Sequence, residues 1–510
     1  MDAPREIGEL RVDAQAQMNF ARLTGDYNPI HVDEAVGHRS IFGSVIVHGM
    51  NVVLSSIEIY LAACMVRDLT APLPGIARIQ VQFLKPIFVD ECLSIVCVSS
   101  DRRRARLSVR HEQSDLAKIT LVWTETGAEA GKHRSMALAL HRRVEPPRRD
   151  PARQKIQDSD RVAGKLPLQV GSDLLVAAYP HGINWLGERA LAGLALLSSV
   201  VGMEWPGEYS LFTNARIDFR DSPDNCAADH LTFRVVSADS DYAFTRLAVQ
   251  GPDFDCDIDA FFRPTPVEQA STTELSRAVR ADEFKGCTAL VVGGSRGLGE
   301  IAAKLLALGG AKIVLTYKSS VAEAEAVREE IVSTGTRCDM FQFDACLQTG
   351  PRIPAVGQPE RLMLLYFPSP QIFRRRTTDF SKTWLAEFLD VYVDGFLNTL
   401  NMVKLWTSGP VSILYPSSEA LDHPGQELIE YAAAKAAGEA ICRAIAADDQ
   451  RLTIEIPRLP RLLTDQTNSI VQVKTAQPVD ILLPILRRMA AGTVKSETGS
   501  DATRVHPGAV

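Results

Sequence analysis

The sequence predicts an α+β unit that occurs twice in tandem, followed by an α/β domain with a doubly wound parallel sheet. Three observations lead there. A mostly apolar helix, Met50 to Val66, is followed by alternating strands. The same punctuation returns in the middle of the chain. The last two-fifths switch to short apolar strands separated by helical segments, the rhythm of a parallel sheet with helices on both faces.

At 510 residues the chain is too long for one core, and its length suggests about three domains. An apolar content of 46% and a charged content of 23% describe an ordinary globular composition. The net charge of −7 gives no reason to expect nucleic acid as a partner. No apolar run reaches the ~18 residues of a membrane span, and the polar start MDAPREIGEL does not read as a signal peptide; a cytoplasmic protein without membrane contact is expected. The nine cysteines are scattered without any CxxC, as expected of small buried residues in a reducing compartment.

Taken in order, residues 1–127 form the first unit. Helical apolar spacing runs from Asp13 to Leu23, and strands ARIQVQFLKPIFV and CLSIVCV follow the long helix. A long apolar helix wrapped by an antiparallel sheet is the hot-dog arrangement. Residues 128–160, with Pro146, Pro147, Pro151 and many arginines, read as an exposed linker; a docking patch for an acidic carrier protein is the alternative. Residues 161–268 repeat the first unit. His48-Gly49, apolar helix and Pro74-Gly75 recur as His181-Gly182, apolar helix (Leu186 to Val201) and Pro206-Gly207, 26 and 25 residues apart. Two hot dogs in tandem, packed as a pseudo-dimer, are expected. A polar linker, 269–283, leads to strands CTALVVGG, AKIVLTY, CDMFQFD, RLMLLYF and PVSILYP within residues 284–490. Residues 491–510 have too little apolar content to pack and read as a loose tail.

Chemistry concentrates first in DYNPIHVDEAVGHRSIFGSVIVHGM, residues 26–50. Asp26 and His31 share a loop kinked by Pro29, and His48-Gly49-Met50 opens the helix. A carboxylate and an imidazole facing a helix N-terminus could activate a water and hold a developing oxyanion. Asp-Tyr-Asn-Pro alone is also an ordinary turn, and a nearby histidine is often structural; His48-Gly49-Met50, 17 residues beyond His31, favours a site. Metal binding by His31 and His48 is not expected, because no third ligand follows at a suitable spacing. The segment closely resembles the hydratase motif of MaoC-like, (R)-specific enoyl-CoA hydratases, with Asp26, Asn28, Pro29, His31, Phe42, His48, Gly49 and Met50 in register. The resemblance implies that Asp26 takes a proton from water, His31 holds that water, and the Gly49 N–H meets the thioester oxygen. Asn28, His48, Ser55 and Ser56 are then substrate-side candidates. Family members often carry a helix serine nine residues after the motif histidine; here that position is Ile57, with Ser55 and Ser56 just before it. The second copy lacks the loop and is read as the half that lines the acyl tunnel without doing chemistry.

The second concentration is Gly293-Gly294-Ser295-Arg296-Gly297-Leu298-Gly299, between a strand and a helix. Glycines at GxxxGxG permit a tight turn and close approach to a pyrophosphate. Downstream come Ser418, then Tyr431 and Lys435, the last two on one helix face. Together these resemble a short-chain dehydrogenase/reductase with a Rossmann fold over roughly residues 284–490. The resemblance implies that Tyr431 passes a proton to or from the substrate oxygen, Lys435 lowers the phenol pKa and Ser418 holds the oxygen. Asp344 matches the position that contacts adenine. The second strand ends Thr316-Tyr317-Lys318 without an acidic residue, and Arg296 lies in the phosphate turn, which favours NADPH (NADP+) over NADH. Departures from the family pattern are Tyr366-Phe367-Pro368-Ser369 for Asn-Ala-Gly, Tyr392 at the usual asparagine, and Arg458-Leu459-Pro460-Arg461 after the sixth strand.

The expected function is a bifunctional enzyme: (R)-specific hydration and dehydration of 2-enoyl/3-hydroxyacyl thioesters of CoA or acyl carrier protein, without a cofactor, plus NADPH-dependent 3-oxoacyl reduction. The alternatives are a hydratase whose reductase domain is degraded to a scaffold, and a non-catalytic acyl-binding module. A homodimer or homotetramer is expected from the reductase resemblance.

Overall fold

The structure is a computed structural model; it describes residues 4–67, 75–124, 145–220, 229–347, 353, 357–374, 379–423, 425–470 and 473–492. Two compact units emerge. The first holds residues 1–266 with segments 373–378 and 465–473; the second holds 267–372, 379–464 and 474–510. Pro74, residues 128–144 of the first linker, Cys226 and the tail from 493 lie outside the described residues.

The first unit is built on one antiparallel ten-stranded sheet. Its strands are β1 (Arg5–Arg11), β2 (Ile76–Phe83), β3 (Cys92–Ser100), β4 (Arg104–His111), β5 (Ser114–Trp123), β6 (Ala163–Pro167), β7 (Ser210–Phe219), β8 (His230–Asp239), β9 (Phe244–Gln250) and β10 (Phe254–Phe262). They lie in the order β1-β3-β4-β5-β2-β7-β10-β9-β8-β6. Counted outward from the central β2·β7 pair, both halves place their second, fifth, fourth, third and first strands in the same sequence. Alternation does the sorting: in β2, Ile79 and Val81 are buried while Gln80 and Gln82 face solvent.

The helices of this unit are α1 (Ala14–Thr24), α2 (Pro29–Val32), α3 (Glu34–Arg39), α4 (Gly49–Arg67), α5 (Ser172–Ala178), α6 (Pro180–Leu186) and α7 (Glu188–Ser199). Helix α4 buries Met50, Val53, Leu54, Ile57 and Leu61, and α7 is buried from Ala190 to Ser199. Helices apolar on nearly every side must be wrapped, and the two halves of the sheet do this. A π-helical turn, Val200–Glu204, extends α7. Among the described residues no single helix is long and apolar enough to cross a membrane; α6 with α7 and its extension passes as a pair bent by 116°, and its longer arm lies in the core.

The repeat differs from expectation in one respect. His48 immediately precedes α4, so Gly49 is that helix's first residue. His181 and Gly182 instead lie in the short α6, cut off from α7 by Gly187 at φ 81°. The second half therefore has no central helix opening at its His-Gly step.

Of the first linker, residues 145–159 alternate between exposed and partly buried positions and are tied down by ion pairs. Arg22 pairs with Glu145 at 2.5 Å, Arg153 with Glu208 at 2.6 Å, and Arg149 with Glu204, so these arginines have acidic partners of their own.

The second unit opens with α8 (Thr272–Leu275), a turn with a Ser271–Glu274 capping box inside the stretch expected to be a linker. Its parallel sheet comprises β11 (Cys287–Val292), β12 (Lys312–Tyr317), β13 (Cys338–Gln342), β14 (Arg361–Tyr366), β15 (Val411–Leu414) and β17 (Leu452–Glu455), in the order β13-β12-β11-β14-β15-β17. Every residue of β11 is buried, as a strand covered on both faces requires. Helices α9 (Gly297–Leu308), α10 (Val321–Ser333), α11 (Lys382–Leu389), α12 (Phe396–Trp406), α13 (Ile429–Asp448) and α14 (Pro478–Ala491) complete the unit. A two-stranded parallel pair, β16 (Ser417–Ser418) with β18 (Arg458–Leu459), was not foreseen in the sequence. The strand order reverses between β11 and β14, the switch point where doubly wound sheets open a crevice at their carboxyl ends.

Candidate active site

Gly25 in the left-handed conformation ends α1 and turns the chain into the Asp26 loop. Asn28 caps α2 by accepting the Ile30 N–H, and Pro29 fills the first helical position. The Asn28 amide donates to the carbonyls of Gly202 at 2.9 Å and Gly207 at 3.0 Å, which fastens the loop to the second half. Buried Arg263 donates to the Ser210 carbonyl at 3.2 Å and lies 3.5 Å from Asn28 Oδ1.

Asp26 is 1% exposed and borders a cavity of about 170 Å3, together with His31, Gly49, Ser198, Gly202 and apolar side chains from both halves. Its Oδ2 accepts from the Ser198 hydroxyl at 2.6 Å and its Oδ1 from the Asn28 N–H at 3.3 Å. Burial raises the pKa of this carboxyl; His31, the Ser198 hydrogen bond and the Asn28 N–H pull it partly back. The result is a stronger base than an ordinary aspartate. The π turn of α7 brings Gly202 so close that a Cβ there would stand 2.7 Å from Oδ2 and overlap Oδ1.

His31 places Nδ1 2.8 Å from the Ile46 carbonyl. That acceptor fixes the proton on Nδ1 and leaves Nε2 as an acceptor. Burial, and then the nearby His48, lower the His31 pKa to about 3, so the ring is neutral near pH 7. His48 is wholly buried behind it, with ring centroids 4.0 Å apart and Nε2 2.9 Å from the Asp26 carbonyl. Burial lowers its pKa to about 4, and its Nδ1 has no hydrogen-bond partner. Asp26, His31 and His48 bring one potential ligand atom each within 4.8 Å, so the third group that spacing alone did not supply is Asp26.

Four substrate-side expectations are corrected. Asn28 and His48 do not border the cavity, their polar atoms being turned to the loop and to the second half. Ser56 donates to the Val52 carbonyl one turn back, and Ser55 lies 3.3 Å from Asn51 Oδ1. Neither serine borders the cavity, and Ile57 is core. The hydroxyl on the carboxylate comes from Ser198 in the half expected to do no chemistry. The one local signal was a Ser198-Ser199 pair inside an otherwise apolar helix.

The second half closes its own His-Gly step. Glu58 of α4 accepts from the N–H groups of His181 and Gly182, both at 2.8 Å, and from His181 Nδ1 at 2.6 Å. The backbone donor at the position matching Gly49 is thus occupied by an internal carboxylate.

In the second unit, Gly293 at φ 74° and Gly297 at φ 61° shape the turn into α9, and a Cβ on Gly299 would collide with the Gly293 carbonyl. Ser295 and Arg296 lie in this turn; Leu298 packs on the core. The Gly293 N–H donates to Thr316 Oγ1 at 3.2 Å, tying the turn to the end of β12. Tyr317 packs on the core, while Lys318 and Asp344 pair with each other at 3.0 Å.

Ser418, Tyr431 and Lys435 converge, but with one difference from expectation. Burial raises the Tyr431 phenol and the Ser418 hydroxyl draws it back. The lysine donates to the Pro416 carbonyl at 2.7 Å and lies 3.8 Å above the Tyr392 ring. Its burial lowers its own pKa to about 7. Tyr392 sits in a π turn, Asp390–Gly395, edge-on to Tyr431 with centroids 5.8 Å apart, and its hydroxyl lies 2.7 Å from Ser369 Oγ. The Tyr392 carbonyl accepts from the Tyr415 hydroxyl at 2.8 Å.

Residues 2–119 match the family model described as MaoC like domain, and residues 287–459 match that described as short chain dehydrogenase. The N-terminal segment is thus similar to MaoC-like domains and the C-terminal segment to short-chain dehydrogenases. The long helix wrapped by antiparallel strands in the first is the hot-dog arrangement, and the parallel sheet with its helices in the second is Rossmann-like. A 3-hydroxybutyryl-CoA dehydratase of Methylorubrum extorquens is 29% identical over 111 residues, 20% of this chain and 65% of the relative. A protein of the same organism named as an uncharacterized oxidoreductase is 42% identical over 62 residues, 12% of this chain and 25% of the relative. The chain thus spans less than two thirds of either curated relative. Among solved structures, a short chain dehydrogenase from Burkholderia cenocepacia J2315 in complex with NADP is 24% identical, covering 41% of this chain and 91% of that one, with a TM-score of 0.37. A putative short chain dehydrogenase from Escherichia coli CFT073 complexed with NADPH is 21% identical, covering 41% and 93%, with a TM-score of 0.37. Asp26, His31 and Gly49 fall within the matched MaoC-like segment, and Ser418, Tyr431 and Lys435 within the matched dehydrogenase segment.

Proposed function

We propose that this chain is a bifunctional enzyme that hydrates and dehydrates 2-enoyl/3-hydroxyacyl thioesters and reduces the matching 3-oxoacyl thioester with NADPH. The observation that carries the first activity is Asp26: a buried carboxylate with a raised pKa, beside neutral His31, on a cavity that also holds the first residue of α4. With Nδ1 turned to Ile46, His31 offers Nε2 to a water, and Asp26 takes that water's proton as oxygen bonds to C3. Negative charge moves to the thioester oxygen, where the Gly49 N–H and the positive end of a 19-residue helix favour it. The Asp26 carboxyl then returns a proton to C2, so one water has been added and the base is restored. No cofactor enters this sequence. Asp26 and His31 are both set before substrate arrives, which is where most of their catalytic value lies.

The shared strand order of the two halves supports two hot dogs in tandem, only the first of which keeps its chemistry. We assign (R) stereochemistry, and CoA or acyl carrier protein as the thioester carrier, from the motif resemblance. A cytoplasmic homodimer or homotetramer, without nucleic-acid or membrane partners, belongs to the same reading.

For the reductase, the collision that a Cβ on Gly299 would cause supports a backbone cradle built for a dinucleotide. Gly293, Gly297 and Gly299 would hold the pyrophosphate, and Lys318, Arg296 and Asp344 the adenosine end. When bound, NADPH supplies hydride to the carbonyl carbon. Tyr431 supplies the proton to its oxygen while Ser418 holds that oxygen. The position of Tyr392 over Lys435 favours a second reading, a hydratase whose reductase domain only binds nucleotide.

Loss of enoyl absorbance on mixing purified protein with crotonyl-CoA tests the hydratase. It is expected in the wild type and absent in Asp26→Asn; equal rates in both would reject the assignment. Oxidation of NADPH with acetoacetyl-CoA is expected to vanish in Tyr431→Phe. Tight NADPH binding without turnover in the wild type would select the second reading.

A further inference from the structure

The cavity beside Asp26 has a second property, its size. Its volume of about 170 Å3 must take the thioester carbonyl, the reacting double bond and the attacking water as well as the alkyl tail. A cavity of ~150 Å3 lined by apolar side chains holds one benzene, and a water needs ~10–15 Å3 of the same kind of space. The remainder matches about six non-hydrogen atoms, the number in a four-carbon acyl group with its thioester oxygen and sulfur. Part of the cavity's lining is aromatic. Phe83, the last residue of β2, presses its ring on the start of α4, where a Cβ on Gly49 would stand 2.7 Å from the ring's Cζ. Phe212 of β7 meets Phe83 edge-on, with centroids 5.5 Å apart and planes at 70°. The two rings come from opposite halves, on the pair of strands that joins them, where Gln82 faces Asn214. Both rings are partly buried against the core of this unit, so a longer chain would have to displace them.

We propose that the hydratase site is selective for short acyl chains of about four carbons, and that Phe83 and Phe212 are its specificity-determining residues. This rests on the hydratase reading above. The second half then contributes the wall that measures the tail as well as the serine that meets the base.

The test compares kcat/KM of the full chain for crotonyl-CoA and trans-2-octenoyl-CoA, with Phe212→Ala and the milder Phe212→Leu beside it. Competition between butyryl-CoA and octanoyl-CoA, read by calorimetry, reports binding independently of turnover. The wild type is expected to favour the four-carbon substrate by about tenfold or more, the scale on which a pocket discriminates methylenes. Phe212→Ala or Phe212→Leu should raise the octenoyl/crotonyl ratio of kcat/KM by about tenfold. Equal or better use of octenoyl-CoA by the wild type would overturn the proposal and leave the hydratase reading standing. So would an unchanged ratio in both variants. Hydration of no thioester at all would overturn the hydratase reading, and this inference with it.

Discussion

The Ser198 hydroxyl donates to Asp26 Oδ2 at 2.6 Å across 172 residues of sequence, so the proposed base of the first half is aimed by a helix of the second. Helix α7 is buried from Ala190 to its end, and Ser199 anchors it to the Thr24 carbonyl at 2.7 Å, just ahead of the loop. The carboxylate is thus held by an element with no freedom to turn.

Removing that hydroxyl should act on the reaction more than on binding. Ser198→Ala is expected to lower kcat by about tenfold with KM nearly unchanged, since a hydrogen bond to a charged group contributes ~1.5–3 kcal/mol. The bond holds the Asp26 pKa down, so its loss should move the acidic limb of the kcat–pH profile to higher pH. Ser198→Thr should restore both. An unmoved limb in Ser198→Ala would show that the serine does not act through Asp26.

Gly202→Ala tests the other side of the same carboxylate. A Cβ there overlaps both Asp26 oxygens, so either the carboxylate rotates or α7 shifts. Overpacking of this kind costs about 1–3 kcal/mol of stability. Crotonyl-CoA hydration is expected to fall by roughly 100-fold or more in protein that still unfolds cooperatively. Retention of full activity would mean that Asp26 reaches its partners from another rotamer.

Acid stability follows from His48. Its folded-state pKa of about 4 lies below the ~6.5 of a free imidazole, so the unfolded chain binds a proton in this window that the folded chain refuses. Stability is therefore lost as pH falls from ~6.5 towards 4, by roughly 2 kcal/mol at pH 5. His31 acts in the same direction. Asp26, with a raised pKa, acts oppositely, its folded form holding a proton longer as pH rises above ~3.9. Denaturant midpoints at pH 7.5 and 5 should differ in the wild type and differ less in His48→Gln, which keeps an N–H donor but does not titrate.

Lys435 gives a prediction for the reductase. A desolvated ammonium above the Tyr392 ring is held near neutrality, with a pKa of about 7. Tyr392→Asn removes the ring and readmits water, so Lys435 should stay protonated to higher pH and assist Tyr431. Turnover of acetoacetyl-CoA with NADPH is expected to rise by about tenfold or less above pH 7. A fall would mean that Tyr392 supports the site instead of shielding it.

Legibility differed between the two sites. The loop Asp26–Met50 could be read because its residues are close in sequence and its turn chemistry is local: Gly25 ends a helix, Asn28 caps the next and Pro29 begins it. The glycine turn could be read for the same reason. Ser198 could not, because nothing within α7 shows which loop its hydroxyl will meet. Asn28 and His48 were misplaced because the motif gives their position along the chain and not the direction of their side chains. His181-Gly182 looked like a second helix start until Gly187 broke the helix after it.

The amino-acid sequence by itself determined the element types, the two strand rhythms and the candidate reacting groups, because periodicity, caps and turns act over a few residues. Only the tertiary structure decided which groups share a dry site. Burial sets the charge states of Asp26, His31 and Lys435, and the closing of the two halves along β2 and β7 brings Phe212 to Phe83 and Ser198 to the Asp26 loop. Desolvation and contacts across more than a hundred residues depend on how whole sheets close around their helices, and no local pattern records that.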